Sequence, residues 1–207
     1  MRRFLHIFMW MFTFVMLTGC TKFEPQDDAV SIDKEGKITR AFVDTFVDES
    51  NQPYDMEEIR EMMEEELETY NHKFGVDHIS LQECVVENDV LTIQILCDAA
   101  RYYQDYCSYF NDDFATEEDD VEFFVGTVAE ASDYDFTASF VTAEGEKASV
   151  SDILASEKLH VVILNEAIEV HTPKNILYVS DNVEMLGKKQ ARVQDSGKLT
   201  RAYIIYK

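Results

Sequence analysis

From residue 121 to the C-terminus the apolar residues come in short runs separated by little more than turn chemistry, and this spacing limits the fold more than any other feature. The stretches 122–128, 136–142, 160–164, 167–171, 176–180, 183–186, 191–194 and 201–206 read as strands, rich in β-branched and aromatic residues. Glu144-Gly145, Thr172-Pro173, Asp181-Asn182, Gly187 and Asp195-Ser196-Gly197 punctuate them. A parallel pair needs a crossover of about a dozen residues, and these gaps leave no room for one, so the strands are expected to pair antiparallel. One short helix, 150–156, interrupts the series.

The first half reads differently. A hairpin is predicted over 30–46, with Gly36 supplying the positive φ its turn needs. A helix follows over 55–74. Asp55 can cap it, Met56, Ile59, Met63, Leu67, Tyr70 and Phe74 recur at three and four residues, and Gly75 supplies the stop. Its other face is crowded with glutamates. Glu57/Glu61, Glu61/Glu65 and Glu64/Glu68 are like-charge pairs that each cost about 0.2–0.5 kcal/mol, so packing of the apolar stripe must outweigh them. A second hairpin, arms 79–86 and 90–97, leads into a tyrosine-rich helix over 99–110 capped by Asp98, then an acidic loop over 111–120. The class is α+β: antiparallel sheet, two main helices (about 55–74 and 99–110) and a β-rich C-terminal half. Residues 29–207 are expected to form one body, since no Gly-, Ser- or Pro-rich linker divides it. A subdomain boundary, if there is one, falls near Thr116.

The N-terminus carries an address. Met1-Arg2-Arg3 is basic, and 4–17 is an apolar run broken only by His6 and Thr13, short of the roughly 20 residues a bilayer-spanning helix needs. It ends in Leu17-Thr18-Gly19-Cys20, which resembles the lipobox of bacterial lipoproteins. The resemblance implies a signal peptide over 1–19, cleavage between Gly19 and Cys20, and a diacylglyceryl group on the Cys20 sulfur. It also implies attachment to the outer face of the cytoplasmic membrane. Two acyl chains, at about 0.8 kcal/mol per buried methylene, hold where one is marginal. Residues 20–28, with Pro25, Gln26, Asp27 and Asp28 and no periodicity, read as a lipidated tether; 21–28 reaches at most roughly 28 Å.

Charge narrows the partners. The whole chain holds 41 acidic and 18 basic side chains, and residues 20–207 carry a net charge of −25. Nucleic acid is excluded as a partner, because a phosphate backbone requires a basic footprint. Residues 20–149 hold 34 acidic and 8 basic side chains, whereas 150–207 hold 7 and 8, so the excess lies entirely in the first two thirds.

Motifs that carry chemistry are scarce in the chain. Seven glycines stand singly, so no phosphate-cradling loop can be written, and no Cys-x-x-Cys pair, nucleophile elbow or His-Glu-x-x-His helix occurs. His72 and His78 flank Asp77 without a third ligand, and His160 reads as facing water. The carboxylates of 112–122 lack the glycine an EF-hand loop needs. No catalytic residue, metal site or cofactor is nominated. Tyr102, Tyr106 and Tyr109 read as a core stripe with hydroxyls at the rim, or as a platform for sugar or peptide. Cys84, Cys97 and Cys107 are expected as free thiols. Matching apolar faces across the second hairpin calls for a three-residue loop, Glu87-Asn88-Asp89, which turns Cys84 away from Cys97.

The lipobox, Ser31-Ile32-Asp33-Lys34-Glu35-Gly36-Lys37-Ile38-Thr39, the Glu-rich helix, Phe123-Phe124-Val125-Gly126-Thr127-Val128 and Ile176-Leu177-Tyr178-Val179-Ser180 together resemble the uncharacterised small acidic lipoproteins of low-GC Gram-positive gut bacteria. That group has no established activity, so the resemblance implies location only. The expectation is a surface lipoprotein acting as a non-catalytic binding module, with a protein or cell-wall partner. Two alternatives are a carboxylate-dependent hydrolase of envelope glycans and a cation-responsive scaffold.

Overall fold

The computed structural model describes residues 23–45, 55–111, 121–156, 158–195 and 200–207. Gly19, Cys20, the loop 112–120 with its carboxylates, and Thr116 lie outside these residues.

The first hairpin pairs β1 (Ala29–Ile32) with β2 (Ile38–Thr45). Asp33 closes its turn by accepting from the backbone N–H groups of Glu35 and Lys37, and Gly36 sits at φ +84°. Helix α1 (Met56–Phe74) starts where Asp55 accepts from Glu57 N–H and ends where Gly75 turns left-handed. It buries Leu67 and Tyr70.

The second hairpin, β3 (Ile79–Glu87) and β4 (Val90–Cys97), differs from the expected register. Its loop is two residues, Asn88 and Asp89, both at positive φ (51° and 64°), and Glu87 faces Val90. A bulge between Leu81 and Glu83 supplies the odd residue that the apolar faces require. Cys84 therefore lies opposite Ile93 and shares the inner face with Cys97, rather than pointing away from it. Cys97 is opposite Ile79, five residues along the strand, so the two thiols stay apart. All three described cysteines are free.

Helix α2 (Ala100–Asn111) follows. The Asp98 carboxylate, expected as its cap, instead accepts from Lys37 Nζ at 2.7 Å and meets His78 Nδ1 at 3.1 Å. The remaining elements are β5 (Phe123–Thr127), β6 (Phe140–Thr142), β7 (Lys147–Ala148), α3 (Val150–Leu154), β8 (His160–Leu164), β9 (Glu169–His171), β10 (Ile176–Ser180), β11 (Val183–Gly187), β12 (Gln190–Val193) and β13 (Ala202–Tyr206). The expected strand over 136–142 forms only in its last three residues.

Two sheets result, ordered β11-β12-β9-β1-β2-β4-β3 and β5-β8-β13-β10-β6-β7. The class is α+β, with antiparallel pairing dominant. One pair runs parallel, β1 with β9. Crossover length is no constraint there, because well over a hundred residues separate the two strands. Through that pair, the N-terminal hairpins and the C-terminal strands share one sheet.

Strand alternation sorts the layers. On the seven-stranded sheet, Val30, Ile32, Ile38, Ile95, Cys97, Val170, Ala191 and Val193 point inward, where Leu67 and Tyr70 of α1, Tyr103 and Tyr106 of α2, and Val162, Leu164, Ala202 and Ile204 of the other sheet complete one core. On the far face of the six-stranded sheet, Phe140, Val161, Ile163, Tyr203 and Ile205 pack with Leu159 and with Ile153 of α3.

Candidate functional site

Alternation also places Arg40 on the inner face with Ile38 and Phe42. Its side chain is only 3% exposed, and its charge is met on every side. Nε donates to Tyr103 Oη (3.1 Å), Nη1 to the carbonyls of Ala41 (2.6 Å) and Ala29 (3.3 Å), and Nη2 to Asp28 Oδ2 (2.9 Å). Tyr103 in turn donates to Glu166 Oε2 at 2.7 Å. Burial opposes the arginine's charge, but Tyr103, Glu166 and Asp28 outweigh it and hold the guanidinium's proton more tightly than in a free arginine. Burial, reinforced by Glu166, keeps the Tyr103 phenol protonated far above its ordinary value. This network ties residue 28 to β2, α2 and the turn after β8.

A second cluster lies on the opposite, outward face. Pairing sets Glu169, Arg192 and Ala29 in one row and His171, Gln190 and Ser31 in the next. His171 Nε2 meets Glu169 Oε1 at 2.6 Å, and Arg192 Nη2 donates to both Asp27 (2.7 Å) and Glu169 (3.3 Å). Asp27, Asp28, Val43, Ile168, Glu169 and Arg192 line a shallow cavity of about 360 Å³.

Residues 23–28, read as part of the tether, touch the body at both ends, through Phe23 and through Asp27 and Asp28. The carbonyl of Phe23 accepts from Gln94 Nε2 at 3.3 Å, and its ring meets His171 edge-on at 5.0 Å. Asp28 also accepts from Val43 N–H at 2.8 Å. Ala29 and Ala41 point outward yet are fully buried, as expected beneath a strap of chain.

The third feature is a groove of about 480 Å³ between α1 and β3. Leu67, Val76, Ile79 and Leu81 give it an apolar lining, while Glu64, Glu68, Asp77 and His72 supply polar and charged groups.

The residues singled out from sequence are dispersed. His72 stands at the groove, His78 stacks on Tyr102 at 4.1 Å, and His160 stacks on Tyr206 at 5.4 Å. Among the described residues no three His, Cys, Asp or Glu side chains converge as a metal site, and no helix is long and apolar enough to cross a membrane. Tyr106 is core, its hydroxyl donating to Glu66 at 2.6 Å, and Tyr102 and Tyr109 are half-buried beside it. The fully buried tyrosine of α2 is Tyr103, one position off the expected stripe. Burial pushes the Cys107 thiol up to about 12 and lifts Cys84 and Cys97 too, so none is a ready nucleophile.

The Asp28–Arg40–Tyr103–Glu166 network was not foreseen. One signal for it is present in the sequence: period-two alternation puts Arg40 on a face of apolar neighbours, where a charge must have partners. Comparisons with protein-family models, with curated protein sequences and with solved structures find no match to this chain.

Proposed function

We propose that the protein is an exported lipoprotein, held by a diacylglyceryl group on Cys20 at the outer face of the cytoplasmic membrane, and that it works there as a non-catalytic binding module. The observation that carries the location is the Leu17-Thr18-Gly19-Cys20 box behind a basic start and a short apolar run. The open groove between α1 and β3, apolar along its lining with acidic groups beside it, supports the binding role. Its chemistry favours a ligand with an apolar body and positive charge, and the net charge of −25 on residues 20–207 disfavours nucleic acid.

Two measurements test this. Mass spectrometry of native protein is expected to find Cys20 as the first residue with a diacylglyceryl thioether, and Cys20→Ser is expected to leave the membrane fraction. Crosslinking on intact cells is expected to capture a partner that Glu68→Arg in the groove loses. An unmodified Cys20 rejects the location. Release of products from envelope glycan by the purified protein rejects the non-catalytic reading.

A further inference from the structure

We propose that the outward face of the seven-stranded sheet is the face this protein turns to the lipid headgroups, with α1 and α3 directed away from the bilayer. The inference rests on the lipid-anchor reading above and adds an orientation to it.

Three observations carry it. The first is chain length. Phe23 is the first described residue, and three peptide units link it to Cys20, a span of at most about 11 Å at 3.3–3.6 Å each. The second is where that short link ends. Phe23 lies over the middle of the sheet, bonded to Gln94 on β4 and packed on His171 of β9, strands separated by β2 and β1. The strap from Phe23 to Asp28 is pinned at both ends, by Gln94 and His171 at one and by Arg40 and Val43 at the other. A lipid on Cys20 is thus tied to the centre of one face, not to a long swinging tether. The third is charge. On this face Glu169 meets His171 and Arg192, Asp27 meets Arg192, and Glu83 accepts from Gln94. Glu57, Glu58, Glu61, Glu64, Glu65 and Glu68 of α1 are exposed, and α1 packs on the inner side of the sheet at its β3 end. Anionic headgroups repel that run of six exposed glutamates more strongly than a face on which Arg192 offsets part of the charge of Asp27 and Glu169 and the other carboxylates, Glu83 and Glu184, stand far apart on β3 and β11.

The experiment uses the full, lipidated chain in vesicles of phosphatidylcholine and phosphatidylglycerol containing a headgroup-nitroxide lipid. A fluorophore is placed on Ser80→Cys or Glu184→Cys, both exposed and on the outward face at its two edges, and for comparison on Leu154→Cys. Leu154 is 51% exposed on α3, beyond both sheets, about 20 Å away at roughly 10 Å per packed layer. Quenching is expected to be several-fold stronger at 80 and 184 than at 154. A ten-residue Gly/Ser insertion between Lys22 and Phe23 is expected to erase the difference. Vesicle-bound protein with Cys20 lipidated but equal or reversed quenching overturns the orientation alone. Protein that fails to bind, with Cys20 unmodified, overturns the anchor reading and the orientation together.

Discussion

Replacing Arg40 by methionine tests whether the buried network holds the fold together. The substitution keeps the length and removes the charge. It deletes four hydrogen bonds, two of them to the carbonyls of Ala29 and Ala41, one to Tyr103 and one to Asp28. Breaking a buried ion pair by removing one partner costs about 3–5 kcal/mol, because the other charge is left behind. Here the strand carries some relief. Asp28 is 44% exposed and can rehydrate, and the methionine gains apolar contacts, so the lower end, about 3 kcal/mol, is expected. With a urea m-value of about 2 kcal/mol/M, the midpoint falls by about 1.5 M. Adding Glu166→Gln is expected to recover part of the loss, since Glu166 Oε1 stands 3.9 Å from the guanidinium and is left as an uncompensated charge without it. A loss below about 1 kcal/mol, or full additivity of the two substitutions, refutes the reasoning.

Cys84, Cys97 and Cys107 are expected to stay unreactive toward a disulfide reagent at pH 8 in the folded protein and to react on unfolding; for a thiol at about 12, only about one in ten thousand is ionised at that pH. Fast labelling of native protein contradicts this. Asp89→Gly is expected to stabilise by up to about 1 kcal/mol, because glycine occupies φ +64° without the left-handed penalty, and Gly75→Ala to destabilise by about 1 kcal/mol for the converse reason. Thermal melting reads both. The hydrogen bond from Lys37, then that from His78, holds Asp98 below the ordinary aspartate range. Its contribution is therefore present above the unfolded-state value and lost as pH falls through the lower folded one. An NMR titration is expected to show that depression and its reduction in Lys37→Met; an unchanged Asp98 titration in the variant rejects the pairing.

Much of the architecture is legible in the chain. The Asp55 cap, the Leu67 and Tyr70 stripe, the Gly75 stop, the Gly36 turn and the succession of short strands are all local signals, set by backbone stereochemistry and by which side chains avoid water. The second hairpin shows the limit of such reading. Apolar matching correctly demanded one odd residue, but a loop and a bulge satisfy that demand equally, and only tertiary packing chose the bulge beside Gln82 with an Asn88-Asp89 turn. The choice moved Cys84 to the inner face. Likewise 23–28, without periodicity, looks like free chain until Gln94, His171 and Arg192 are brought beneath it from strands far along the sequence. Asp28, Arg40, Tyr103 and Glu166 span 138 positions, so their meeting is a property of the parallel β1–β9 pairing and the seating of α2. Short-range periodicity determines which face of a strand or helix is buried. Which charges and hydroxyls then meet inside depends on how the faces are assembled, and that is decided by the competition among all ways of burying them at once.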